Sequence, residues 1–121
     1  DEAEINQRVS SYLIEDLYGI ENFNVISKRI WKDFEKLIND ILENKIEISF
    51  YLEPYHPKIY KIIEKKYPMV LKTENEIIDF ANKKNFKLYG SFNPSKYNLE
   101  SNDFYDGMHC KEKVIKKIFL N

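Results

Sequence analysis

Two short runs of β-branched and aromatic residues, 46–52 (Ile-Glu-Ile-Ser-Phe-Tyr-Leu) and 86–92 (Phe-Lys-Leu-Tyr-Gly-Ser-Phe), lie on either side of helical sequence. This feature constrains the fold most. Strands joined through helices run parallel in one sheet, because the helical crossover carries the chain back to its starting end. The whole order reads helix, helix, strand, helix, helix, strand, loop, helix. The expected class is therefore α/β, a parallel sheet flanked by helices, with residues 1–121 forming a single unit. Two strands are few for a sheet covered on both faces. Either residues 23–26 add a short strand, or the rest of the sheet lies in sequence outside this chain.

The helices follow from apolar spacing. Ile5, Val9, Leu13 and Leu17 recur every four residues and predict a helix over 3–18, ending near Gly19. Ile30, Phe34, Leu37, Ile38 and Ile41 form one face of a helix over 27–44, with Asn44 and Lys45 as stop residues. Pro54 ends the first strand, and Pro57 suits the first turn of a helix that buries Ile59, Tyr60, Ile62 and Ile63. Pro68 disfavours helical geometry at Tyr67, and Thr73 with Glu76 makes a T-x-x-E capping pattern for a new helix presenting Ile77, Ile78 and Ala81. Residues 93–105 carry loop chemistry, and a last helix over 110–120 turns Val114, Ile115, Ile118 and Phe119 inward.

Composition excludes several classes. With 43% hydrophobic and 32% charged residues in 121, the chain has the makings of one packed core and is not disordered. Lys and Arg number 19 against 20 Asp and Glu, interspersed along the helices, so no basic stripe for nucleic acid is present. No run has the apolar length of a membrane span. The single cysteine, Cys110, rules out an intrachain disulfide and a cysteine-cluster zinc site. The chain opens Asp1-Glu2-Ala3-Glu4 without an initiator methionine or a signal-peptide pattern, as a piece of a longer protein would.

The two histidines, His56 and His109, each follow a strand through a loop or turn, and open α/β sheets bind ligands beyond the carboxyl ends of their strands. In Asp106-Gly107-Met108-His109 a carboxylate precedes an imidazole by three residues. One turn of chain would let Asp106 hold one ring nitrogen and leave the other free to take a proton from a nucleophile. The same pattern also fits a helix start that Asp106 caps, with His109 simply exposed. In Glu53-Pro54-Tyr55-His56-Pro57 two prolines fix where Tyr55 and His56 point. They either line a pocket beside His109 or merely form a strand-to-helix turn. The spacing of His56, His109 and Asp106 does not support a metal site. No G-x-S-x-G elbow and no Gly-rich phosphate loop occur. Ser91 belongs to a strand, Thr73 is accounted for as a cap, and Cys110 is adjacent to His109 in sequence and so cannot face it on a helix.

Phe104-Tyr105-Asp106-Gly107-Met108-His109, followed by an amphipathic helix, resembles the last block of the SGNH (GDSL-type) hydrolases, where D-x-x-H supplies the catalytic acid and base. Leu52-Glu53-Pro54-Tyr55-His56-Pro57 is similar to a strand-to-helix turn of bacterial envelope members, and Tyr89-Gly90-Ser91-Phe92 sits where their last strand would. The resemblance covers residues 24–120 and implies a flavodoxin-like α/β layout, of which this chain is the C-terminal part. It implies His109 as general base, Asp106 as its orienting partner, and Tyr55 and His56 as pocket neighbours. It further implies a serine esterase or acyltransferase acting on an O-acyl ester, such as an acylated envelope carbohydrate, with no cofactor and an extracytoplasmic or envelope location. The G-D-S block with the nucleophile and the G-x-N-D block with an oxyanion donor are absent from this chain. The chain alone is therefore expected to be inactive, and its exposed sheet edge to favour a homo-oligomer. The alternative is a small non-catalytic α/β domain that binds another protein.

Overall fold

The computed structural model describes residues 1–14 and 19–120. In chain order it contains α1 (Glu2–Ile14), α2 (Lys28–Glu43), β1 (Ser49–Leu52), α3 (Pro57–Lys66), α4 (Pro68–Lys84), β2 (Lys87–Gly90) and α5 (Glu112–Phe119), with 3-10 turns at Ile20–Asn22, Pro94–Tyr97 and Ser101–Asp103. Among the described residues the sheet has two strands. They pair in parallel, with Ser49 beside Lys87 and Leu52 beside Gly90. The α/β class and the parallel direction expected from the helical crossover are both present, in a small sheet with five helices among the described residues.

Alternation along β1 sorts the helices into layers. Phe50 stacks with Phe34 of α2 and Phe80 of α4, at ring separations of 6.0 and 6.2 Å. Its neighbour Tyr51 points the other way, onto Phe119 of α5 at 5.2 Å. The α1–α3–α4 core holds Ile5, Val9, Ile59, Ile63 and Val70. A second core beneath α5 holds Leu99, Phe104, Cys110, Val114 and Ile118. Each fully buried aliphatic side chain contributes roughly 1.5–3 kcal/mol. Beyond β2 the chain must turn sharply. Gly90 takes φ +83°, where a Cβ would lie 2.2 Å from the Leu52 carbonyl oxygen. Only glycine fits there.

Several expectations change. Pro68 ends α3 and also starts α4. Thr73 is therefore no cap: it lies inside α4, and its hydroxyl donates to the Met69 carbonyl at 2.8 Å. A proline has no N–H to lose at a first helical turn, so one residue serves both boundaries. Residues 23–26 form no strand. Pairing in β1 begins at Ser49, leaving Ile46 exposed. The last helix begins at Glu112, because Cys110 is engaged in an antiparallel bridge with Phe104. The helix expected over 3–18 is seen through Ile14, and Leu17 falls outside the described residues. Much of the apolar face predicted for α2 meets solvent: Ile30 is 61% exposed and Leu37 56%, while Ile38 is buried. Among the described residues no helix is long and apolar enough to cross a membrane.

Candidate active site

Residues 104–110 form a closed turn at the carboxyl end of the sheet. The Phe104–Cys110 bridge pins its base, and Tyr105 N–H donates to the His109 carbonyl at 2.8 Å. Lys111 N–H donates to the Asp103 carbonyl at 2.8 Å, and the Lys113 ammonium sits 2.8 Å from the Asp103 carboxylate. Burial pushes the Asp103 acid up, but Lys113 and the Glu100 N–H outweigh it and hold the group below the usual carboxylate range. Other elements grip the turn from outside. Arg8 of α1 donates to the Tyr105 carbonyl at 2.9 Å, and His56 N–H donates to the Gly107 carbonyl at 3.0 Å. A Cβ on Gly107 would lie 2.8 Å from both Ile59 and Tyr12, so the turn is pressed against α1 and α3.

Within this frame Asp106 does two jobs. Its Oδ1 accepts the N–H groups of Met108 and His109, at 2.8 and 2.9 Å, which shapes the turn. The same carboxylate receives His109 Nδ1 at 2.9 Å from each oxygen. Partial burial works to raise the Asp106 acid, but hydrogen bonds from Met108 and His109 prevail and hold it below its ordinary value. A carboxylate against Nδ1 requires Nδ1 to carry the proton. In the neutral ring Nε2 then holds the free lone pair, on an imidazole that is 64% exposed. Asp106 caps no helix, since α5 starts at Glu112; it shapes the turn and holds the ring at Nδ1.

His56 and Tyr55 diverge. The His56 ring is 0% exposed. Its Nδ1 accepts Lys58 N–H at 3.1 Å, capping α3, and its edge meets Phe104 at 5.4 Å between centroids. Its Nε2 has no hydrogen-bond partner among the described residues. Burial, and to a lesser degree Lys58, push its pKa down to about 4 against an opposing pull from Asp106. His56 therefore supports the turn from below and offers no ring atom to solvent. Tyr55 gives its N–H to the Phe92 carbonyl at 3.1 Å and packs its ring on Phe92 at 5.4 Å. Burial, with Glu74 adding to it, raises its phenol. These contacts direct Tyr55 to the α1–α3–α4 core.

The remaining nucleophiles are committed elsewhere. The Ser91 hydroxyl is buried, donates to Glu74 at 3.1 Å and accepts Asn93 N–H at 3.1 Å. Cys110 turns its sulfur away from His109, to 3.5 Å from the Tyr51 hydroxyl and 3.4 Å from Glu53, and burial raises its thiol. Sequence reasoning missed Glu74, a buried carboxylate that also accepts Phe92 N–H at 2.6 Å. The signal was available: Glu74 falls in helical register with Val70 and Ala81, which α4 buries. Among the described residues no three His, Cys, Asp or Glu side chains gather as a metal-binding group. Two clefts, of about 490 and 420 Å³, lie along α2 and are lined in part by Val25, Ile26 and Trp31; His109 borders neither. No protein-family model, curated protein or solved structure matches the chain.

Proposed function

We propose that this chain is the C-terminal part of an SGNH-like serine esterase or O-acyltransferase, supplying the histidine–aspartate half of its triad. One observation carries the reading: Asp106 holds His109 Nδ1 at 2.9 Å, on an imidazole that is 64% exposed. The site's position beyond the carboxyl ends of two parallel strands adds to it. So does the uncovered apolar face of α2, which a larger sheet with its helices would bury. The substrate class is an O-acyl ester, with an acylated envelope carbohydrate as the representative.

The proposed reaction is acyl transfer through a serine ester. A serine outside this chain gives its proton to His109 Nε2 as its oxygen bonds to the acyl carbon. Asp106 stabilises the imidazolium that results. Collapse of the tetrahedral intermediate breaks the bond to the alcohol, which leaves with the proton from Nε2. Water or an acceptor hydroxyl then repeats the sequence and frees the serine. The oxyanion donors also lie outside this chain, and loss of one such donor typically costs about 10²–10³ in rate.

A fluorophosphonate probe tests the reading. The 121-residue chain should not be labelled. The full reading frame that contains it should be labelled on a serine, and His109→Ala should slow labelling by at least about 10³-fold. A labelled serine in this chain alone, or a full-length protein that His109→Ala labels at the native rate, would overturn the proposal. The exposed side chains of Ile30 and Leu37 also favour the alternative of a non-catalytic interaction domain. An unlabelled full-length protein would support that alternative.

A further inference from the structure

His56 is an unexpected residue to cap α3. Asparagine, serine or aspartate would satisfy the Lys58 N–H with fewer buried atoms. The imidazole instead fills the space beneath residues 104–107, and with Nδ1 accepting, its proton must sit on Nε2. That buried donor has no acceptor among the described residues. A buried donor left unsatisfied costs stability, and a purely structural cap would avoid it. Among the described residues, the hydrogen bond and the ring contact that His56 makes outside α3 both go to the turn that bears Asp106. Its N–H holds the Gly107 carbonyl, its ring edge abuts Phe104, and Asp106 lies within its electrostatic reach.

We propose that His56 is a positioning residue for the Asp106–His109 pair: its cap on the Lys58 N–H and its own N–H bond to the Gly107 carbonyl tie the start of α3 to the turn, and so fix where the Asp106 carboxylate meets the imidazole. The inference rests on the proposed base role of His109 for its catalytic meaning, but not for its test. Cap and carbonyl bond come from one residue, so a shift in the first turn of α3 moves residue 107 with it. Asp106 and His109 flank that residue and would separate.

Long-range proton–nitrogen spectra of the 121-residue chain read the tautomer of each histidine directly. The native chain should give His109 an unprotonated Nε2 and a protonated Nδ1, and His56 the reverse. His56→Leu keeps ring-sized apolar bulk and removes the cap. It should merge the two His109 nitrogen signals toward the average of a free imidazole. His56→Asn restores a cap oxygen and should keep the two signals apart. Unchanged His109 signals in folded His56→Leu would overturn the inference while leaving the acid–base pair intact. So would merged signals in His56→Asn, which remains decisive even where His56→Leu does not fold. A native His109 without the Nδ1–H form would instead remove the proposed triad half.

Discussion

The turn at residues 104–110 and the outer side of α2 are built to different standards. Around the turn the packing is tight: Phe104, Ile59 and Val114 are fully or almost fully buried, and Arg8 of α1, His56 at the start of α3 and Lys113 of α5 hold the loop or its base through a side chain or a backbone bond. Along α2 and the segment before it, Val25 (67% exposed), Ile30 and Leu37 stand in water. Apolar side chains left in water contribute little to folding. The first region therefore holds its geometry from within this chain. The second carries apolar surface that only a covering neighbour would turn into stability. Under the proposed reading, the missing strands and helices of the domain are that neighbour, and the base and its partner are pre-formed before it arrives.

The comparison can be broken by matched substitutions. Ile63→Ala, in the core under the turn, should cost roughly 2–5 kcal/mol, whereas Ile30→Ala should lie within about 0.5 kcal/mol of the native chain in denaturant melts. Equal costs would show that α2 is covered in solution. The next effect is on pH dependence. His56 is held neutral with a pKa of about 4 against an ordinary 6.5, so the unfolded chain binds its proton first on acidification. Stability on the order of 3 kcal/mol should be lost between pH 6.5 and pH 4 and regained on return. His56→Asn should flatten that portion of the curve. Below it, the lowered Asp103 and Asp106 acids protonate, and the stability they provide above the usual carboxylate range is lost as pH falls through their folded values. A smaller cost, about 1 kcal/mol, is expected for Asp106→Ala, which removes the acceptor for two turn N–H groups. The smallest change in stability belongs to Ile30→Glu with Leu37→Glu. These should leave the melt near native and shift any self-association seen by sedimentation toward the monomer.

The order of helices and strands is legible in the sequence because period-four and short β-branched runs alternate cleanly. The bounds are less so. Residues 46–48 have strand composition, yet β2 gives pairing partners only from Ser49 onward. Pro68 reads as a stop from one side and as a start from the other, which displaced the expected cap to Thr73. In the site, the contact between Asp106 and His109 is local, three residues along one turn, so spacing suffices to suggest it. The burial of His56 is not local. It depends on Phe104 and Gly107, distant in sequence, and the flanking prolines reveal only that a turn is present. The inward face of Glu74 was legible in principle from its helical register, but carboxylates are usually solvated and the general tendency misleads here.

The central claim is that Asp106 fixes the His109 imidazole with its proton on Nδ1 and its lone pair on Nε2. Its most direct test compares the His109 ring-nitrogen signals in the native chain with those in Asp106→Asn at neutral pH. The account predicts one protonated Nδ1 and one unprotonated Nε2 in the native chain, and loss of that separation in the variant. Averaged signals in the native chain, or the same separated signals in both proteins, would contradict it.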